Sequence, residues 1–448
     1  MTPYSTHMKI LTVQIHRKGQ WLDAAEISFS EPAGGHRSAA KLDYTGGYVV
    51  DELGNADIGG AVVSSRYPVD FRTYSGERWP AFLLDLLPGG EGRRRWAERL
   101  GIGTGFSAEL ELLNHAAANP PGNLRIKEAA ESSFRQFDRI PDAEGELRER
   151  SEHPGFEQTD ITSRQEHFIE YAYNQGAAVA GATDVQGEAP KFLLVQDHNN
   201  RWHAEGALDD KQVAKHWIVK FPRGRNASDK DVLRNEAPYL ELARRCGLKV
   251  GEALQQEGLA LFIPRFDRIV KNGAVQRIGM ESLYSIAGVS EFGVARSHEF
   301  LCEELLKYLA ADVKLENITE YIKRDILNVV LGNTDNHGRN TAILRDQSGG
   351  ITLSPVFDFA PMYLDPEGIA RVTRWGATRE KSGRPIWSEV CDYFEPWIET
   401  SQLRHSIREF ADTLVQLPTF MREEDVSPSI IDRRLKSIES NLLLLREC

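Results

Sequence analysis

Apolar and polar positions alternate in short runs at the start of the chain. Residues 10–15, 26–29, 41–44 and 48–50 are strand-like and separated by Gly, Pro and Asp clusters, which predicts a small sheet. Two helices are expected next, at 79–87 and 93–100, joined at Pro88, Gly89 and Gly90. Residues 139–162 are polar and charged and follow neither period, so they read as a linker or solvent loop. Ser163 and Glu166 stand at capping-box spacing before a helical run at 167–175, which Gly176 would end.

A small-residue stretch, 177–191, then leads into an apolar strand at 192–196. Strands are also expected at 216–222 and 259–263, the second running into Pro264, with an amphipathic helix between them at 231–245. That helix carries Val232, Leu240 and Ala243 inward, and Pro238 makes its first turn irregular. Beyond this point helical periodicity dominates, at 299–309, 321–331, 401–417 and 430–445. Strands early and helices late place the chain in the α+β class.

Composition narrows the function classes. At 448 residues the chain is long enough for two or three domains with buried cores. A formal charge of -12 excludes a molecule whose whole surface grips nucleic acid, leaving at most a local basic patch such as residues 92–99. The four cysteines, Cys246, Cys302, Cys391 and Cys448, lie far apart without metal-type spacing, which suits a reducing compartment. Nothing approaches the ~20 consecutive apolar residues of a membrane span, and no secretory leader is evident at 1–13, so a soluble, cytoplasmic protein is expected.

The chemistry concentrates in Asn333-Thr-Asp-Asn-His-Gly-Arg-Asn340 and, after a predicted hairpin around Asp346–Gly350, in Phe357-Asp-Phe-Ala-Pro361. A phosphoryl-transfer site needs an aspartate to take the acceptor proton, an asparagine five positions on to hold a metal ion, and a later aspartate to complete the metal site. Asp335, Asn340 and Asp358 have that order and spacing. Upstream, the small residues before the 192–196 strand, Gly181, Ala182 and Thr183 among them, would either let backbone amides approach phosphates or serve only as a flexible connection, the commoner use of such loops. Lys220, inside an apolar strand, would either meet an anion or reach solvent from a sheet edge. Glu236 is placed to orient that lysine.

In order along the chain, the N-terminal sheet, Phe82 to Pro88, the small-residue loop, Trp217 to Pro222, Asn235-Glu236, Arg265-Phe-Asp-Arg268, the 333–340 motif and Leu353 to Pro361 resemble the HipA-like serine/threonine kinases, toxins of bacterial toxin–antitoxin systems. The resemblance implies a two-lobed, protein-kinase-like fold: an N-terminal subdomain at 1–138, a linker at 139–162, a kinase N-lobe at 163–268 and a helical C-lobe at 269–448. It also implies use of ATP and Mg2+. Lys220 would hold ATP phosphates; Phe262, Pro264, Phe266 and Asp267 would form the adenine connector; His337 would line the nucleotide site. Asp335 would be the catalytic residue, and Asn340 with Asp358 would bind the metal.

The partners so implied are a protein substrate, such as an aminoacyl-tRNA synthetase or translation factor, and a small helix-turn-helix antitoxin through which DNA is reached indirectly. Where the family often carries an autophosphorylated serine, this chain has Ala178, and Thr183 is the only hydroxyl from 174 to 191. Autophosphorylation is therefore expected to be absent or moved to Thr183. Two rivals remain open at this point: a small-molecule phosphotransferase of the antibiotic or choline kinase kind, and a kinase-like co-repressor scaffold.

Overall fold

The computed structural model describes residues 8–56, 58–136, 139–142, 146–149, 153–175, 177, 190–224 and 226–448. The chain packs as two units that share the sequence in turns. Met1–Phe221, Phe262–Gly293 and Leu344–Gly350 make the first, and Pro222–Leu261, Val294–Ile343 and Ile351–Cys448 make the second.

The first unit contains an antiparallel sheet whose strands run, edge to edge, Tyr74–Gly76, Ala40–Tyr44, Gln20–Phe29, Lys9–Arg17 and Leu124–Ile126. Alternate apolar side chains on Lys9–Arg17, namely Leu11, Val13 and Ile15, pass to one core with Ile27, Phe29 and Leu42. Leu83, Leu112, Leu113 and Ala129 of the neighbouring helices close that core. One expected strand is instead helical, because 48–50 lies inside the helix Gly46–Glu52. Tyr48, Val49 and Glu52 are buried while Val50 is exposed, which is a helical and not an alternating pattern. Helix at 79–87 shrinks to Phe82–Leu86, bounded by prolines 80 and 88.

A second sheet in this unit pairs Lys191–Asp197 with Val213–Lys220 on one side and Trp202–Ala204 on the other. Trp202 packs on Trp217 and Phe262, with ring centroids 5.5 and 5.1 Å away. The expected capping box at Ser163 is not formed. Ser163 ends the preceding helix, Gln158–Thr162, and its hydroxyl donates to the Thr159 carbonyl; the reciprocal capping pair is Glu157 with Asp160. Arg164, at φ +53, then turns the chain into the helix Glu166–Asn174. Gly176 lies outside the described residues.

The second unit is mainly helical: Ala227–Arg245, His298–Leu306, Lys314–Leu331, Trp387–Tyr393, Thr400–Leu414, Leu417–Glu423 and Pro428–Arg446. Lys314–Leu331 is its buried element, with Ile318, Ile322 and Ile326 four apart and Tyr321, Leu327 and Val330 beside them. Among the described residues, no helix is long and apolar enough to cross a membrane.

Candidate active site

The site begins where the helix Lys314–Leu331 stops. Gly332 caps it at φ +77, and a Cβ there would lie 2.7 Å from Tyr363 Cδ1 and 2.9 Å from Arg434 Nη1, so both backbone shape and crowding call for glycine. The last carbonyls of the helix are all taken. Arg434 donates to Val329 O and Val330 O at 2.7 and 2.8 Å, the Tyr239 hydroxyl to Leu331 O at 3.0 Å, and the Tyr363 N–H to Gly332 O at 3.1 Å. These four contacts fix the direction in which the chain leaves the helix.

The loop that follows is bonded to itself. Asn340 N donates to His337 O at 2.9 Å, and Asn340 Nδ2 donates to the Asp335 carbonyl at 2.8 Å. His337 Nε2 lies 3.4 Å from Asp335 Oδ1. The side chain of Asn336 pairs both ways with the Thr373 backbone, donating at 3.0 Å and accepting at 3.3 Å, and so ties the loop to the 371–376 segment. Asn333 Nδ2 reaches Asn328 Oδ1 at 2.9 Å. Asp335, Asn336 and Asn340 line a cleft with Arg324, Phe357 and Phe359.

Three side-chain oxygens in this cleft are buried and accept nothing from the described residues: Asn333 Oδ1, Asp335 Oδ1 and Asn340 Oδ1. Orphaned buried acceptors are rare in folded proteins and call for a donor or a cation. They suit a hard, oxygen-seeking ion such as magnesium, which takes few protein ligands and keeps waters and phosphate oxygens. Among the described residues there is no cluster of three or more His, Cys, Asp or Glu side chains that could hold a metal ion. Asp358 follows the predicted hairpin, whose return is marked by the Ser354 N–H to Ala342 O bond at 2.8 Å. It is held at φ +50, a strained backbone for a non-glycine residue, between two phenylalanines of the cleft wall.

Asp335, His337, Asn340, Asp358 and Glu236 all belong to the second unit, whereas Lys220, Phe262, Pro264, Phe266 and Asp267 belong to the first. Glu236 is buried in the helix Ala227–Arg245 and Lys220 is buried at the end of its strand. Gly181, Ala182 and Thr183, with Ala178, lie outside the described residues.

Two of the connector residues have structural duties. Phe262 sits in the tryptophan core, and both oxygens of Asp267 are occupied: Oδ1 by Arg265 Nε at 2.9 Å, Oδ2 by Arg265 Nη2, Arg268 Nη1 and Gly122 N at 2.6, 2.7 and 2.7 Å. Arg265 also donates to Glu205, which meets His216 Nδ1 at 2.9 Å. This buried network occupies both carboxylate oxygens of Asp267.

Spacing gave no notice of Asn336, Arg434 or Tyr239, because each acts through backbone far away in sequence. Arg324 and Asp325 did carry a signal: they are charged residues on the buried side of an amphipathic helix. Arg324 donates to Ser354 O at 2.6 Å and Glu320 Oε1 at 2.9 Å. Burial raises the Asp325 carboxyl, but His298, Arg371 and the Trp375 Nε1 bond outweigh it and hold the pKa at about 2.

Residues 183–417 match the family model described as the HipA-like C-terminal domain, and residues 48–127 match that of the HipA N-terminal domain. HipA of Shewanella oneidensis MR-1, solved with HipB and operator DNA, is similar over 98% of this chain and 99% of that one, with a TM-score of 0.62 and 16% identity. That likeness is one of fold, α+β and kinase-like. Two proteins of Sinorhizobium fredii (strain NBRC 101917 / NGR234), named "Putative kinase Y4mE" and "Putative kinase Y4dM", are 30% and 27% identical over 35% and 34% of this chain. The matched stretches span only 36% and 40% of those relatives' own lengths.

Proposed function

Because the chain belongs to the HipA-like family, we propose that it is an ATP- and magnesium-dependent protein kinase that phosphorylates serine or threonine on a cellular protein. One observation carries this reading. Asn340 anchors its amide nitrogen on the Asp335 carbonyl while its own oxygen and Asp335 Oδ1 remain available in one cleft. In transfer, the bond from the γ-phosphorus to its bridging oxygen breaks, a bond to the acceptor hydroxyl oxygen forms, and Asp335 receives the hydroxyl proton. Asn340 and Asp358 would hold the magnesium ion, which when bound neutralises phosphate charge. Lys220 would meet the phosphates, and the backbone of 262–266 the adenine ring.

A protein substrate, rather than an antibiotic-like small molecule, is favoured by the match to both HipA domain models, since a small-molecule phosphotransferase has no use for the N-terminal one. The substrate class we favour is a translation factor or an aminoacyl-tRNA synthetase, whose modification arrests growth. HipA of Shewanella oneidensis was solved with HipB and DNA. By that parallel this chain would bind a small helix-turn-helix antitoxin in the cytoplasm, and with its charge of -12 would leave DNA contact chiefly to that basic partner. Co-repression and catalysis are compatible in one molecule.

The deciding experiment compares protein phosphosites after brief expression of the intact chain and of Asp335→Asn. Sites present only with the intact chain identify the substrate. Label recovered only in soluble small molecules, with no protein sites, would assign the chain to the small-molecule phosphotransferases instead.

A further inference from the structure

Cys391 lies on the helix Trp387–Tyr393 and Cys448 follows the helix Pro428–Arg446, yet their sulfur atoms are 3.3 Å apart and both side chains are buried. Among the described residues, no other pair of cysteine sulfurs is in contact; Cys246 and Cys302 are buried singly. Cys448 is held in place from a third element, since Arg404 Nη1 donates to its carbonyl at 3.1 Å while the same guanidinium pairs with Asp392 beside Cys391. Nothing in phosphoryl transfer uses this pair.

We propose that Cys391 and Cys448 form a site of reversible thiol oxidation, closed by a hydroperoxide into an intramolecular disulfide. The two sulfurs have only to draw together by about 1.3 Å to reach bonding distance near 2.0 Å. Cys448 is the attacking group: the hydrogen bond from the Cys391 thiol, helped by Arg404 and Arg408, lowers its pKa against the opposing effect of burial. Its thiolate attacks a peroxide oxygen, forming S–O as O–O breaks and giving a sulfenic acid and, from hydrogen peroxide, water. The Cys391 sulfur then attacks Cys448 Sγ; S–S forms, S–O breaks, and the departing hydroxide leaves as water with the Cys391 proton. Two thiols and one hydrogen peroxide become one disulfide and two waters.

The bond would span 57 residues of sequence and fasten the far end of the helix that carries Arg434, the residue bonded to the carbonyls just before the catalytic loop. Oxidation therefore stiffens the support of that loop without touching it.

The test uses the full reduced chain, treated with hydrogen peroxide under native conditions, then denatured and alkylated. The expected product has lost two hydrogen atoms, alkylates only at Cys246 and Cys302, yields one cross-linked peptide containing Cys391 and Cys448, and reverts with dithiothreitol. Its melting temperature should rise by about 2–4 °C or more. Cys391→Ser and Cys448→Ser, made separately, should each abolish the cross-link and the rise. Four alkylated thiols after treatment, oxygen addition without a cross-link, or a bond joining two chains would each overturn the proposal.

Discussion

Two regions of this molecule each enclose polar side chains around an aspartate and leave that aspartate in opposite states. In the first unit, Glu205, His216, Arg265, Asp267 and Arg268 are buried together and bonded to one another. Burial raises the carboxyls of Glu205 and Asp267, but the charges of His216 and Arg265 on one, and Arg265 and Arg268 on the other, hold both far below the usual carboxylate range. In the second unit, Asn333 and Asp335 are buried and Asn340 is half-buried, and each keeps a side-chain oxygen that accepts no hydrogen bond from the described residues. A buried aspartate is common to both regions. Both oxygens of Asp267 are filled, whereas Asp335 keeps one open, and an open carboxylate oxygen can take a ligand where a filled one cannot.

Four measurements press on that contrast. The largest effect is expected for Asp335→Asn, which should lower phosphoryl transfer about 10³-fold in single-turnover labelling while leaving nucleotide binding nearly intact and stability within about 1 kcal/mol. Transfer within tenfold of the parent would remove Asp335 from the chemistry. Asp267→Ala should do the reverse, costing about 3–5 kcal/mol in urea unfolding because two guanidinium groups lose their counter-charge. A loss below about 1 kcal/mol would mean the network is not the support described.

Asn340→Ala should raise the magnesium concentration for half-maximal activity by about 10- to 100-fold, read from a metal titration at fixed ATP. An unchanged titration would exclude Asn340 as a ligand. The smallest effect concerns Asp325. Its folded pKa of about 2 lies below the usual 3.8, so it contributes stability above pH 4 that is lost as pH falls through about 2. Relative to the parent, Asp325→Asn should be less stable at neutral pH and flatter by about 2 kcal/mol across that acid range. Parallel acid curves would contradict the assignment.

Much of this was legible in sequence because it depends on near neighbours. The 333–340 loop closes through bonds five residues or fewer apart, and the Asp346 turn, the buried helix before the loop and most strands follow from local period and turn chemistry. Residues 48–50 misled because two adjacent valines favour strand, whereas core packing of Tyr48 and Val49 decided for helix. Ser163 misled for a similar reason, since a capping pattern on one helix was answered by the end of another. Asp267 entered through the family resemblance, and its oxygens meet Arg265, Arg268 and Gly122. Asn336, Tyr239 and Arg434 depend on partners 37, 92 and 104 residues away, beyond any local pattern.

The Arg434 contact also has a consequence in time. A ribosome adding roughly 5–20 residues per second takes about 5 to 20 seconds to travel the 104 residues from Val330 to Arg434. Throughout that interval the Val329 and Val330 carbonyls lack their guanidinium partner, one part of what holds the loop. Any activity that needs Asp335 held rigid would thereby wait until Arg434 has been made.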